Sequence, residues 1–177
     1  MPITQQEVIE RFRYEDGKLY WLARGYARFD KQFAGKEAGG FNKTANGIII
    51  AYKNTRILLH RVVWIYHNGE IPEGMEIDHI NQDRLDNRIE NLRLCYRHQN
   101  AWNTKIRFNN KTGVKGLCWN PLTNTWRARV SVNKKTITVG SFVCFEEAKR
   151  AVELARISLH GEFANLGYLT DGGLSCH

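Results

Sequence analysis

The sequence predicts an α+β protein made of two small units. Hairpins lead into a strand, loop, strand, helix arrangement, and a three-stranded antiparallel sheet with one covering helix follows. Three observations carry this expectation. A length of 177 residues holds one medium domain or two small ones. Short β-branched and aromatic runs are punctuated by turn residues along most of the chain, whereas residues 145–160 place Ala148, Ala151, Val152, Ala155 and Leu159 at helical spacing. Between the two regions, Arg107-Phe108-Asn109-Asn110-Lys111-Thr112-Gly113 is basic, polar and turn-rich, as a linker is.

The elements follow in order. Thr4-Gln5-Gln6-Glu7 reads as a capping box opening a helix with Val8, Ile9 and Phe12 on one face, or else as an N-terminal tail. Asp16-Gly17 between Tyr14 and Leu19-Tyr20-Trp21 signals a hairpin, and Ile48 to Tyr52 and Ile57 to Leu59 flank a second turn. The Gly-rich stretch from Gly35 to Gly47 is expected to be loop. From His60 to His67 the residues Val62, Val63, Ile65 and Tyr66 suit a buried helix that Asn68-Gly69 stops. Met75 to Ile80 reads as a strand, Asn81 to Glu90 as a polar loop, Leu92 to Cys95 as the returning strand, and residues 97–105 as a helix. Beyond the linker, Val114 to Trp119, Trp126 to Val132 and Thr136 to Phe142 are the three strands, with Gly161 closing the last helix. The final residues, with Gly172-Gly173, read as a loose tail.

Lysine and arginine number 26 against 18 acids, for a net charge of +8, which favours a polyanionic partner. Residues 1–100 hold 15 basic and 13 acidic side chains, for +2, while residues 101–177 hold 11 and 5, for +6. The later region carries most of the positive field. Cys95, Cys118, Cys144 and Cys176 form no CxxC pair, so no structural zinc is expected and the thiols read as free in a reducing compartment. No apolar run is long enough for a signal peptide or a membrane span, so a soluble cytoplasmic protein with no membrane partner is expected.

The segment Asp78 to Asn100 concentrates the chemistry. Phosphodiester hydrolysis needs a base and a cation, because the phosphate repels the nucleophile and the alkoxide leaves poorly. His79 suits the base, since an imidazole takes a proton from water near neutral pH. The Asp78 carboxylate and the Asn100 side-chain carbonyl are hard oxygen donors suited to Mg²⁺ or Mn²⁺. Neighbours on a regular strand point to opposite faces, so the strand is expected to end or twist at Asp78-His79. Asn91 is assigned a supporting role, holding the loop through bonds to backbone groups. His60 is either a core histidine or a member of the site. Arg88 and Arg93 are either contacts to the phosphates flanking the cut or solvated charges.

The stretch DHINQDRLDNRIENLRLCYRHQN resembles the HNH nuclease family, particularly the branch found in phage and intron homing endonucleases. The resemblance covers roughly His60 to Thr104. It implies a ββα-metal unit, with His79 as general base, Asn91 as the loop support, Asp78 as the metal-binding acid and Asn100 at the last motif position. Asn there departs from the histidine of the family name and disfavours zinc, while His98 is an alternative ligand. Phage origin would place the protein in the host cytoplasm.

In the second strand Trp126, Ala128, Val130 and Val132 share one face, and Arg127, Arg129 and Ser131 the other. Lys115 and Trp119 are expected to join the arginines, giving a sheet suited to groove entry. Residues 113–167, GVKGLCWN followed by WRARVSV, TVGSF, EEAKRAV and HGEFANLG, resemble the AP2-type DNA-binding domain. That likeness implies Lys115, Trp119, Arg127 and Arg129 as DNA contacts, and Lys105 and Arg107 suit the DNA backbone before the sheet. The expected organisation is a nuclease domain over 1–106 with its core at 58–104, a linker at 107–112, an AP2-like domain over 113–168 and a tail at 169–177. The expected activity is that of a metal-dependent DNA endonuclease leaving 5′-phosphate and 3′-hydroxyl ends, a site-directed nickase of homing type; the alternatives are a DNA-binding regulator with an inactive nuclease unit and a nonspecific degradative nuclease. Its partner is double-stranded DNA, and it acts as a monomer or homodimer.

Overall fold

The computed structural model describes residues 3–53 and 55–167 and divides into two compact units, Met1–Arg97 and His98–His177. The division falls ahead of the 107–112 linker, so residues from His98 onward group with the second unit. The tail at 169–177 lies outside the described residues. Among the described residues no helix is long and apolar enough to cross a membrane.

The first unit opens with α1 (Gln5–Ile9), where the Glu7 amide donates to Thr4 Oγ1 and the Thr4 amide donates to the Glu7 carboxylate. Strands β1 (Phe12–Glu15) and β2 (Lys18–Trp21) form an antiparallel hairpin. Its turn residues Asp16 and Gly17 both take left-handed φ, 44° and 81°, as a two-residue hairpin turn requires. Helix α2 (Ala27–Phe33) has no sequence forecast, because it buries no residue fully and is held by rings: Phe29 and Phe33 pack on Trp21.

A three-stranded antiparallel sheet follows, from β3 (Gly40–Asn42), β4 (Gly47–Tyr52) and β5 (Thr55–Leu58). Strand β3 lies within the stretch expected to be loop. Its edge position explains this, since backbone pairing of Gly40 to Asn42 with β4 needs no apolar alternation. Helix α3 (Leu59–Asn68) buries Leu59, Val62, Val63 and Ile65 and stops at Gly69, φ 80°. Strands β6 (Met75–His79) and β7 (Leu92–Tyr96) then pair antiparallel, with Asp78 opposite Arg93 and His79 opposite Leu92. Ile77 and Leu92 anchor this ribbon in the core built by Val8, Phe12, Leu19 and Ile50.

Helix α4 (Arg97–Trp102) begins at the division and is shorter than the 97–105 expected. In the second unit β8 (Leu117–Asn120), β9 (Thr125–Val132) and β10 (Lys135–Phe142) form an antiparallel sheet with β9 central. Strand β8 starts later than Val114 because Gly116 adopts φ 81°, and a Cβ there would run into the Arg129 carbonyl oxygen. Helix α5 (Phe145–His160) packs Ala148 and Val152 against Val114, Leu117, Ala128 and Val130. One detail reverses the expected amphipathic pattern: Leu159 is exposed, whereas Arg156 and His160 are buried.

Candidate active site

Strand β6 ends at His79, so Asp78 and His79 sit where the regular pleat stops. Both are buried at 6% exposure. Asp78 lies across the ribbon from Arg93, whose Nε and Nη2 both donate to Oδ2, at 3.1 and 2.9 Å. Arg93 is therefore not a solvated charge. It is a mostly buried partner of the acid, because the cross-strand register places the two side chains on one face.

The chain between β6 and β7 folds back on itself through side-chain bonds. Asn91 receives the Asn81 amide at Oδ1, 3.0 Å, and donates from Nδ2 to Asn81 Oδ1 and to the Asp86 carbonyl, at 3.0 and 2.8 Å. Arg88 grips Asp86 with two bonds of 2.8 Å, which holds the Asp86 carboxyl down at about 2. That pairing makes Arg88 part of the loop brace. The N-terminal hairpin supports the same loop, since the Ile89 amide donates to the Tyr14 hydroxyl and a Cβ at Gly17 would sit 2.8 Å from the Arg88 nitrogen.

Asn87 is the residue that sequence reasoning missed. It is 2% exposed. Its Nδ2 donates to the Leu85 carbonyl at 3.1 Å, so its Oδ1 faces His79 Nε2 at 3.1 Å as an acceptor. In the neutral ring this contact puts the hydrogen on Nε2 and makes Nδ1 the acceptor nitrogen. Nothing in the residue type marks Asn87 among the other loop asparagines; only the fold-back of the loop brings it to His79. The His60 ring meets His79 edge-on at 4.9 Å and 81°. Burial foremost, then the His79, Arg61 and Arg84 charges, pushes His60 down to about 3, so it is neutral at ordinary pH.

Residues 58–102 match the HNH endonuclease family, and that segment contains the end of β6, the braced loop and β7. Protein 3.8 of Escherichia phage T7 is 37% identical over 105 residues, which are 59% of this chain and 86% of that protein. The chain belongs to the HNH endonuclease family. A second relative, the "Uncharacterized HNH endonuclease L560" of Acanthamoeba polyphaga mimivirus, is 32% identical over 120 residues, 67% of this chain and 62% of that protein. No solved structure matches the chain.

As an HNH endonuclease the protein cuts DNA, and the donors available for a divalent ion can be tested against its first unit. Among the described residues no group of three or more His, Cys, Asp or Glu could hold a metal, so an ion here depends on a carboxylate together with amide or water oxygens. Asp78 is the buried carboxylate in this region, and the guanidinium of Arg93 bonds its Oδ2. Asn100 and His98 lie on α4 in the endonuclease's second unit, where the His98 ring meets Trp102 edge-on at 5.2 Å.

The second unit also revises the expected sheet face. Cross-strand partners share a face, and Arg127 pairs with Cys118 while Trp119 pairs with Trp126. Trp119 thus belongs to the helix side, packing edge-on against Trp126 at 5.0 Å, as Trp126 does against Phe145 at 4.9 Å. Cys118 takes its place beside the arginines, and Arg129 Nη2 lies 3.4 Å from its sulfur. Lys115 precedes β8 and does not join the sheet; its ammonium donates to the Thr104 carbonyl and to Asn165 Oδ1. Lys105 and Arg107 are exposed in the segment before the sheet.

Proposed function

We propose that this HNH endonuclease is a metal-dependent, site-directed nickase of homing type, which hydrolyses one strand of duplex DNA to 5′-phosphate and 3′-hydroxyl ends. The observation that supports it best is the bond from His79 Nε2 to Asn87. A histidine whose Nε2–H is held has its Nδ1 lone pair as the proton acceptor. His79 takes the proton of the attacking water there, and the hydroxide formed attacks phosphorus in line with the departing 3′ oxygen. Asn91 keeps the loop in the shape that orients this imidazole, and His60 walls the ring while staying neutral.

Asp78 and Asn100 are the proposed holders of Mg²⁺ or Mn²⁺, on the motif spacing of the family segment. When bound, the ion neutralises the charge that builds on the phosphate oxygens. The second unit is proposed as an AP2-like reading domain, with Arg127 and Arg129 toward the groove, on the strength of its sequence likeness and its strand, strand, strand, helix order. One such site cuts one strand, so a monomer nicks. The test is an end-labelled duplex cut in Mg²⁺, with the nick examined for ligation. Ligation without prior enzymatic treatment is expected, and 3′-phosphate ends that block ligation would contradict the mechanism.

A further inference from the structure

The second unit holds a cavity of about 370 Å³ whose wall includes Lys105, Arg107, Lys115, Arg129, Arg156 and His160 and contains no acidic residue. We infer that this cavity is a phosphate site and that a backbone phosphate of bound duplex DNA fills it. The inference deepens the reading of the second unit as a DNA-binding domain and rests on it.

Arg156 carries the argument. It follows Val152 and precedes His160 at four-residue spacing, so it stands in the buried row of α5, where an apolar side chain would serve packing. It is only 8% exposed, yet among the described residues it forms no ion pair. Among the described residues its one hydrogen bond runs from Nε to the Asn165 carbonyl at 3.3 Å. Lys115 shares this environment, bonded to the neutral oxygens of Thr104 and Asn165. Burial, and then the charge of Arg156, pushes Lys115 down to about 8. Two cations withdrawn from water without a carboxylate are costly, and neutral carbonyls organise them without cancelling their charge.

A histidine completes this wall. His160 donates from Nε2 to the Ser131 carbonyl at 3.0 Å and is stacked under Trp102 at 4.3 Å, and its enclosed Nδ1 has no partner. An anion with several acceptor oxygens answers the donors of Arg156 and Lys115 at once, and a phosphate has that form. The wall also points to the source of that phosphate. Arg129 belongs both to the cavity and to the exposed arginine face of β9, so DNA lying on that face passes the cavity mouth, where Lys105 and Arg107 stand.

Two measurements on the full chain test this. Melting is followed in inorganic phosphate and in chloride at equal ionic strength, and duplex binding is followed by anisotropy in EDTA across a salt series. Wild type should melt higher in phosphate. Arg156→Gln and Lys115→Gln should each lose that shift and flatten the slope of log K against log salt by about 1, the value of one phosphate contact. Arg156→Lys should recover part of both, which separates charge from folding. A phosphate shift lost in the variants with an unchanged slope would make this a free-anion site and overturn the backbone assignment. No phosphate shift in wild type would overturn the site itself. If wild type melts higher in phosphate but fails to bind duplex, the DNA-binding reading fails while the anion cavity stands.

Discussion

At the residue scale, the chemistry of His79 is set by its neighbours more than by its own type. Asn87 holds the ring through Nε2, and His60 covers it without adding charge. Asn87→Ala is therefore expected to slow nicking about 10- to 100-fold, as loss of an orienting partner does elsewhere, while duplex affinity stays at the wild-type value. An unchanged rate would show that the bond does not orient the base. His60 also makes a pH prediction. Its folded pKa of about 3 lies below the 6.5 of the unfolded chain, so between those values the unfolded state binds more protons and stability rises with pH. The free energy of unfolding from urea titrations should fall as pH drops below 6.5, by at most about 1.4 kcal/mol per pH unit from this group. His60→Gln should flatten that slope. Glu7 and Asp86, held at about 2 by bonds to Lys53 and Arg88, act only at lower pH. The residue types of Asp78, His79 and Asn91 were legible in the sequence because each is unusual for its place; Asn87 and the partner of Arg93 were not, because only the loop fold-back and the β6–β7 register create them.

At the element scale, the ends of elements decide more than their interiors. The turn at Asp16-Gly17, the capping box at Thr4 and the stop at Gly69 were readable from local chemistry. Strand β3 and helix α2 were not, since pairing and ring contacts made at a distance hold them. The β8–β9 register shows the same limit. A strand starting at Val114 gives no sign that Gly116 breaks it, and the pairing of Trp119 with Trp126 follows from Leu117 seating opposite Ala128. The two sides of the sheet should then separate by assay. Trp119→Ala is expected to lower stability by about 1 kcal/mol through its lost aromatic contact, with little change in the salt dependence of DNA binding. Arg127→Ala with Arg129→Ala should leave stability nearly unchanged and flatten the salt slope by about 2. The opposite assignment of effects would mean that the helix side faces DNA.

At the scale of the whole molecule, charge and chemistry are divided along the chain. The proposed site residues Asp78, His79 and Asn91 belong to the first unit, while Asn100 and the +6 of residues 101–177 belong to the second. A protein arranged in this way should bind DNA through one part and cut it through another. The sequence displayed this division directly, because net charge and turn-rich composition both change near residue 107, although the compact units part at Arg97. The most direct measurement is conversion of supercoiled plasmid to open circle by the full chain in Mg²⁺, in EDTA and as His79→Ala, with duplex affinity measured in parallel. Nicking by wild type in Mg²⁺ alone, with equal affinity in both proteins, is the predicted result. Binding by wild type without Mg²⁺-dependent nicking, or equal nicking by His79→Ala, would contradict the assignment of His79 as the base.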